Sequence, residues 1–162
     1  MGRGPTTWIL AMLLLASCAQ AGVPATESAG TTDALPVSRC YLRVTKGAPR
    51  VDGPDTIPGP IDSLYIRLDV LGELANGVYK WLPQEKDRMT GYFQGSIDDS
   101  LVTAVYTYAA EGKTRKQEVL FKREGKALRV ATGEMEESEG VYLFKDKSQV
   151  AYGDPIPEVD CK

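Results

Sequence analysis

The sequence predicts an all-β fold, an antiparallel up-and-down β-barrel of about eight strands, with a β-sandwich as the alternative. Three observations carry this expectation. Apolar and polar residues alternate along a series of short segments from Arg39 onward. Turn residues stand between those segments, and no helical period interrupts them. Two cysteines bracket the patterned region, Cys40 at its start and Cys161 as the penultimate residue of 162.

Taken in order, CYLRVT (40–45) places Cys40, Leu42 and Val44 on one face. SLYIRLDVLG (63–72) alternates more cleanly: Leu64, Ile66, Leu68 and Val70 share a face, while Arg67 and Asp69 point the other way. NGVYKWL (76–82), TGYFQGSI (90–97), LVTAVYTYA (101–109), QEVLFKR (117–123), ALRVATGEM (127–135) and GVYLFK (140–145) complete the set. Asp98–Ser100 and the stretches 111–114, 123–126 and 136–140 supply Gly, Asp, Ser and Glu for the turns. A short helical turn is expected within residues 147–152. Residues 46–61, with four prolines and three glycines, are expected to form a long, stiff loop draped over one barrel end.

The cysteines argue for closure. An exported domain with two cysteines is expected to pair them, here Cys40 with Cys161, and a disulfide needs Cα atoms within about 7 Å. First and last segments must then be neighbours. A meander tied in this way has no free edges, and eight strands enclose a space that side chains fill or that holds one small ligand.

The chain opens with Arg3 followed by the apolar run WILAMLLLA (8–16). This has the form of a secretory signal, and it falls short of the about 20 apolar residues that span a bilayer. Leu15-Ala16-Ser17-Cys18 resembles the bacterial lipobox. That resemblance implies a signal peptide over residues 1–17, a diacylglyceryl thioether on Cys18 and a fatty acyl chain (palmitate) on its amino group. Ala19 in place of aspartate implies the outer membrane. The other reading of this junction is an ordinary cleavage after Ala19-Gln20-Ala21, giving a soluble periplasmic product. Residues 18–38, rich in Ala, Thr, Ser, Gly and Pro, are expected to be a flexible tether spanning roughly 25 Å, and 39–162 the folded domain.

Composition excludes several functions. With 19 basic and 22 acidic residues the formal charge is −3, and the charges are interspersed. No basic stretch suits nucleic acid or electrostatic adhesion to anionic lipid. There is no histidine, so Ser-His and Cys-His catalysis is ruled out and zinc lacks ligands. No calcium-loop spacing occurs. No cofactor, no metal and no enzymatic activity are expected. Glu85, Asp87 and Glu111 are the remaining carboxylates that could pair for acid–base work, and nothing in their spacing selects them.

GVYKW (77–81), AVYTY (104–108) and GVYLF (140–144) each place a tyrosine two residues before another aromatic, on one strand face. Trp81 shares its face with Tyr79 and precedes Pro83 and the charged run QEKDR (84–88). Tyr79, Trp81, Glu85, Lys86 and Asp87 are therefore the candidate binding rim at a barrel mouth.

The terminal cysteines, the Glu-Lys-Asp loop at 85–87, the Gly91 and Gly95 pair and the Tyr-rich strand ending in Glu111-Gly112 resemble a group of uncharacterised bacterial lipoproteins. The resemblance covers 39–162 and implies no activity. Two functions follow as expectations. One is an anchored binding module for a small apolar ligand or an envelope partner. The other is an inhibitor of a lysozyme-like or other hydrolase, by fold-level likeness to small disulfide-bonded barrel lipoproteins. A hollow interior would favour the first, and a packed one with a long ordered loop the second.

Overall fold

The structure, a computed structural model, describes residues 35–162. The signal peptide, the lipidation at Cys18, the cleavage after Ala21 and most of the tether fall outside the described residues. The chain forms β1 (Val37–Lys46), β2 (Arg50–Asp52), β3 (Asp55–Ile57), β4 (Ile61–Leu71), β5 (Leu74–Leu82), β6 (Met89–Asp98) and β7 (Leu101–Ala110). It continues with β8 (Lys113–Glu124), β9 (Ala127–Thr132), β10 (Met135–Ser138), β11 (Val141–Phe144), a 3-10 turn (Lys147–Gln149), β12 (Ala151–Tyr152) and β13 (Ile156–Val159). Strand pairing runs β1-β4-β5-β6-β7-β8-β9-β13 and returns to β1, every neighbour antiparallel. This is a closed eight-stranded up-and-down barrel, not a sandwich.

The alternation along β4 sets the inside. Leu64, Ile66 and Leu68 are buried, and Ile66 and Leu68 meet Tyr79 and Gly77 of β5 directly. Phe93, Val102, Tyr106, Phe121, Leu128 and Ile156 complete a core with no solvent access beyond 1 %. Burying such side chains stabilises the fold by roughly 1.5–3 kcal/mol each. Glycine makes the tight curvature possible. A Cβ at Gly77 would stand 2.8 Å from Cζ of Phe93, and one at Gly91 would overlap the Thr107 carbonyl oxygen, so only glycine fits where β5 and β6 bend.

Closure is carried by the short last strand. Cys40 lies opposite Val159, and Tyr41 opposite Glu158. Arg39 reaches both carboxylate oxygens of Glu158 at 3.1 Å. The Cys40–Cys161 disulfide, with Cα atoms 5.2 Å apart, fastens the seam on the outer surface.

Several expectations are corrected. The eighth wall strand is β13, not GVYLFK. That segment forms β11, which pairs with β10 as a side hairpin and touches β8 in parallel only at Tyr142 opposite Gln117. The run ALRVATGEM ends at Thr132, because the chain breaks at Gly133, which packs beneath Phe144 and Val150. In β1 the apolar set Cys40, Leu42 and Val44 faces outward. Tyr41 takes the inside position opposite Ile66, flanked by Arg39 opposite Leu68 and Arg43 opposite Leu64. Cys40 is buried by its disulfide and by Tyr65, whose hydroxyl lies 3.2 Å from its sulfur, not by the core. The strand starts at Val37, two residues before the expected boundary at 39. Residues 46–61 are not draped over the barrel. They carry the hairpin β2–β3, Arg50 opposite Ile57, with residues 49–56 exposed throughout, and Gly47 N–H donating to Pro60 O at 2.8 Å closes its stem. The helical turn appears as the 3-10 segment, capped by Asp146, whose carboxylate accepts from Ser148 N–H at 2.8 Å.

The barrel therefore has two different ends. The turns β4–β5, β6–β7 and β8–β9 and the start of β1 lie at one end, which is plugged by Arg39, Tyr41, Glu158 and Arg123. The β2–β3 hairpin, residues 83–88, the β7–β8 turn and the break between β12 and β13 lie at the other, which is open.

Candidate functional site

At the open end the barrel strands contribute residues to two concavities. Trp81 of β5 sits between Leu64 of β4 and Met89 of β6, its direct cross-strand neighbours. Pro83 is buried and ends β5. The next residue is held by a reciprocal exchange: Gln84 accepts from Ile61 N–H at 2.7 Å and donates its own N–H to Asp62 at 3.0 Å. These bonds fix where the charged loop 85–88 leaves the wall.

Two concavities meet at Trp81 and Met89. An inner cup of about 250 Å³ lies over the core, lined by Arg43, Leu64, Tyr79, Val130, Asp154 and Ile156 in addition to those two. An outer hollow of about 530 Å³ lies between loop 85–88 and the β7–β8 turn, lined by Glu85, Lys86, Asp87, Tyr108, Glu111 and Arg115 as well. Of the rim expected from the sequence, Trp81, Glu85, Lys86 and Asp87 come together in the outer hollow. Tyr79 shares their strand face as expected but lies deeper, in the cup, and is not part of the rim. Below the cup the barrel is packed.

The floor is aromatic. Tyr79 and Tyr106 have ring centres 4.8 Å apart, Tyr106 stacks on Tyr108 at 4.8 Å, and Phe121 meets Tyr79 edge-on at 5.9 Å. The Tyr106 hydroxyl donates to the Tyr79 carbonyl at 2.9 Å. Burial pushes the Tyr79 phenol above its ordinary range, and the Arg43 cation pulls it partly back. Burial raises Tyr108 in the same way, opposed by Arg115. Tyr106 is raised furthest, by burial first and then by the neighbouring Tyr79 and Tyr108 phenols. All three are neutral hydroxyls at physiological pH, and they present π-faces with polar tips.

Charge is arranged around this floor. Arg43 donates to the Asp154 carbonyl at 3.3 Å, with the Asp154 carboxylate 3.9 Å away, bridging β1 to the loop before β13. Arg115 pairs with Glu111 at 3.4 Å. The outer hollow thus combines two cations and three carboxylates around an apolar wall. Glu85, Asp87 and Glu111, the candidate acid–base carboxylates, line the same hollow. Among the described residues no group of three or more His, Cys, Asp or Glu side chains is placed to hold a metal. No described helix is long and apolar enough to cross a membrane.

No family model matches the chain, and neither curated proteins nor solved structures give a match. Tyr108 belongs to the Tyr-x-aromatic pattern, and Arg115 to the charge-dense stretch EGKTRK (111–116) that could form an acidic-basic rim. Arg43, Met89 and Asp154 were not singled out in the sequence; they carry no local signal and reach the mouth only through barrel closure.

Proposed function

We propose that the protein is a bacterial envelope lipoprotein, lipid-anchored at Cys18 in the outer membrane, whose barrel is a binding module working through its open end. The occupant is a flat apolar or aromatic group, from a small ligand or from an envelope partner. It stacks against Trp81 and Met89 over the tyrosine floor, while Lys86, Arg115 and the rim carboxylates engage its polar part. The observation that carries this reading is the junction at Trp81 and Met89, one apolar wall shared by the cup and the charged hollow. Pockets of this kind pair an apolar lining with a few placed polar groups. A core packed below the cup limits the occupant to a shallow insertion. Anchoring is supported by the lipobox-like Leu15-Ala16-Ser17-Cys18 at the end of the apolar run.

The test uses a chain carrying Trp8→Phe, so that Trp81 is the sole tryptophan. It is titrated with 1-anilinonaphthalene-8-sulfonate, a flat apolar anion. Saturable energy transfer from Trp81, weakened at least tenfold by Met89→Glu, supports the reading. Absence of saturation, or an unchanged titration in the variant, contradicts it. Anchoring is tested separately: Cys18→Ala should release the protein from membranes or stall its processing, and a mature chain beginning at Gly22 would contradict lipidation.

A second reading, hydrolase inhibition, is favoured by the combination expected for it, a barrel packed below the cup and a long ordered loop. The exposed β2–β3 hairpin stands at the open end with Val51 at its edge, 77 % exposed, a shape suited to entering a cleft. Deleting residues 50–57 would abolish inhibition and leave probe binding at Trp81 intact.

A further inference from the structure

The plugged end carries a second, chemically different site. Arg39, Tyr41, Ser100, Arg123 and Gly125 line a polar pocket of about 190 Å³ there. The Nε–H groups of Arg39 and Arg123 are both buried and both lack a partner among the described residues. Buried donors are otherwise almost always satisfied, and an unsatisfied pair in one pocket calls for an acceptor. The rest of each guanidinium is held in place. Arg39 Nη1 grips the two Glu158 oxygens at 3.1 Å, and Arg123 Nη2 donates to the Asp99 carbonyl at 3.1 Å. Arg123 N–H donates to the Ser100 carbonyl at 2.8 Å, so the cation and the Ser100 turn form one unit.

The charges do not balance. Arg39 is answered by Glu158 at 3.1 Å, whereas Arg123 has no carboxylate within 4 Å among the described residues. The pocket is thus lined by one unpaired cation, by two arginines whose buried Nε–H donors lack partners, and by Tyr41 and Ser100, the Ser100 hydroxyl lying 3.4 Å from the Asp99 carboxylate. Carboxylate and phosphate oxygens are what guanidinium forks recognise. The volume admits a single oxyanion group with water and is below the about 300 Å³ of a site for a drug-sized ligand.

We infer that this pocket binds one phosphate group between Arg39 and Arg123, closing the plugged end of the barrel. The inference is independent of the open-end reading, since the two sites share no residue. The phosphate has two possible sources, free inorganic phosphate or a lipid headgroup presented at the end where β1 begins.

The test follows the arginine Nε–H and the Ser100 and Gly125 amide resonances of the purified protein. One arm titrates sodium phosphate in nonionic detergent against sodium chloride at equal ionic strength. The other places the protein in phosphatidylcholine nanodiscs with and without phosphatidic acid. Saturable shifts at both arginine Nε–H groups in the first arm assign the site to the free anion. Shifts only with phosphatidic acid assign it to a headgroup. Arg123→Gln should weaken binding at least tenfold. Ser100→Glu, which keeps both cations and supplies its own carboxylate, should abolish it even if Arg123→Gln fails to fold. The inference is overturned if neither phosphate source moves these resonances, or if Ser100→Glu titrates like the parent.

Discussion

Changing Cys161 to serine opens the barrel seam with little other disturbance. Cys161 is exposed, whereas Cys40 is fully buried and can remain as a small apolar side chain. Only two residue pairs join β1 to β13, so the disulfide and the Arg39–Glu158 contact carry much of the closure. The cysteines are 121 residues apart. In the chain-entropy model a loop of that length contributes about 5 kcal/mol, against about 2–5 for native disulfides removed from small domains. Unfolding entropy near 2.1 cal/mol/K per residue over the described domain then turns a loss of about 3–5 kcal/mol into a fall in Tm of about 10–18 °C. Urea unfolding followed by circular dichroism measures the free energy, and calorimetry the midpoint. Reduction of the parent protein should reproduce the variant. A loss under about 1 kcal/mol in both would refute the reasoning, because the seam would then hold without its covalent clasp.

Three further outcomes are expected. Burial raises the Tyr41, Tyr79, Tyr106 and Tyr108 phenols, so the stability they contribute is complete below the unfolded value near pH 10 and is lost as pH rises beyond it; absorbance at 295 nm should show their ionisation coinciding with unfolding. Lys147→Met strips Glu118, 7 % exposed, of its 2.6 Å ion pair while the Phe144 N–H contact at 3.3 Å remains. Because Lys147 is itself half exposed, the loss should be about 1–2 kcal/mol rather than the 3–5 of a fully buried pair, and hydrogen exchange should quicken first in β10 and β11. Trp81→Ala should cost less than the about 3–5 kcal/mol of a fully buried tryptophan, since Trp81 borders two concavities, and should remove probe binding; denaturant unfolding and the same titration read both.

The barrel was legible where the sequence alternates over long stretches. In β4 through β7 every second residue is inward, and the turns carry Gly72, Asp99 and Gly112 at positive φ. The clasp was legible because two cysteines at opposite ends of a meander have few other partners. The closing strand was not. Ile156–Val159 is four residues long and holds Pro157, too little pattern to compete with GVYLF. The facing of β1 was also hidden. Near a barrel mouth or plug a charged side chain can point inward if something answers it, and Glu158 and Asp154 answer Arg39 and Arg43 from beyond residue 150. For the same reason half of the site was visible. Trp81 and loop 85–87 are contiguous and marked by Pro83, and Arg115 stands in the charged stretch 111–116, whereas Arg43, Met89 and Asp154 are brought together from three separate stretches by closure.

The claim that the open end is the working end is tested most directly by amide spectra of the isotope-labelled protein, recorded while solubilised envelope extract from a lipoprotein-competent bacterium is added. The account predicts saturable perturbations confined to Trp81, residues 84–89 and the β7–β8 turn, and their loss in Trp81→Ala. Perturbations centred on the outer wall or on the β4–β5 turn, with the mouth unchanged, would contradict it.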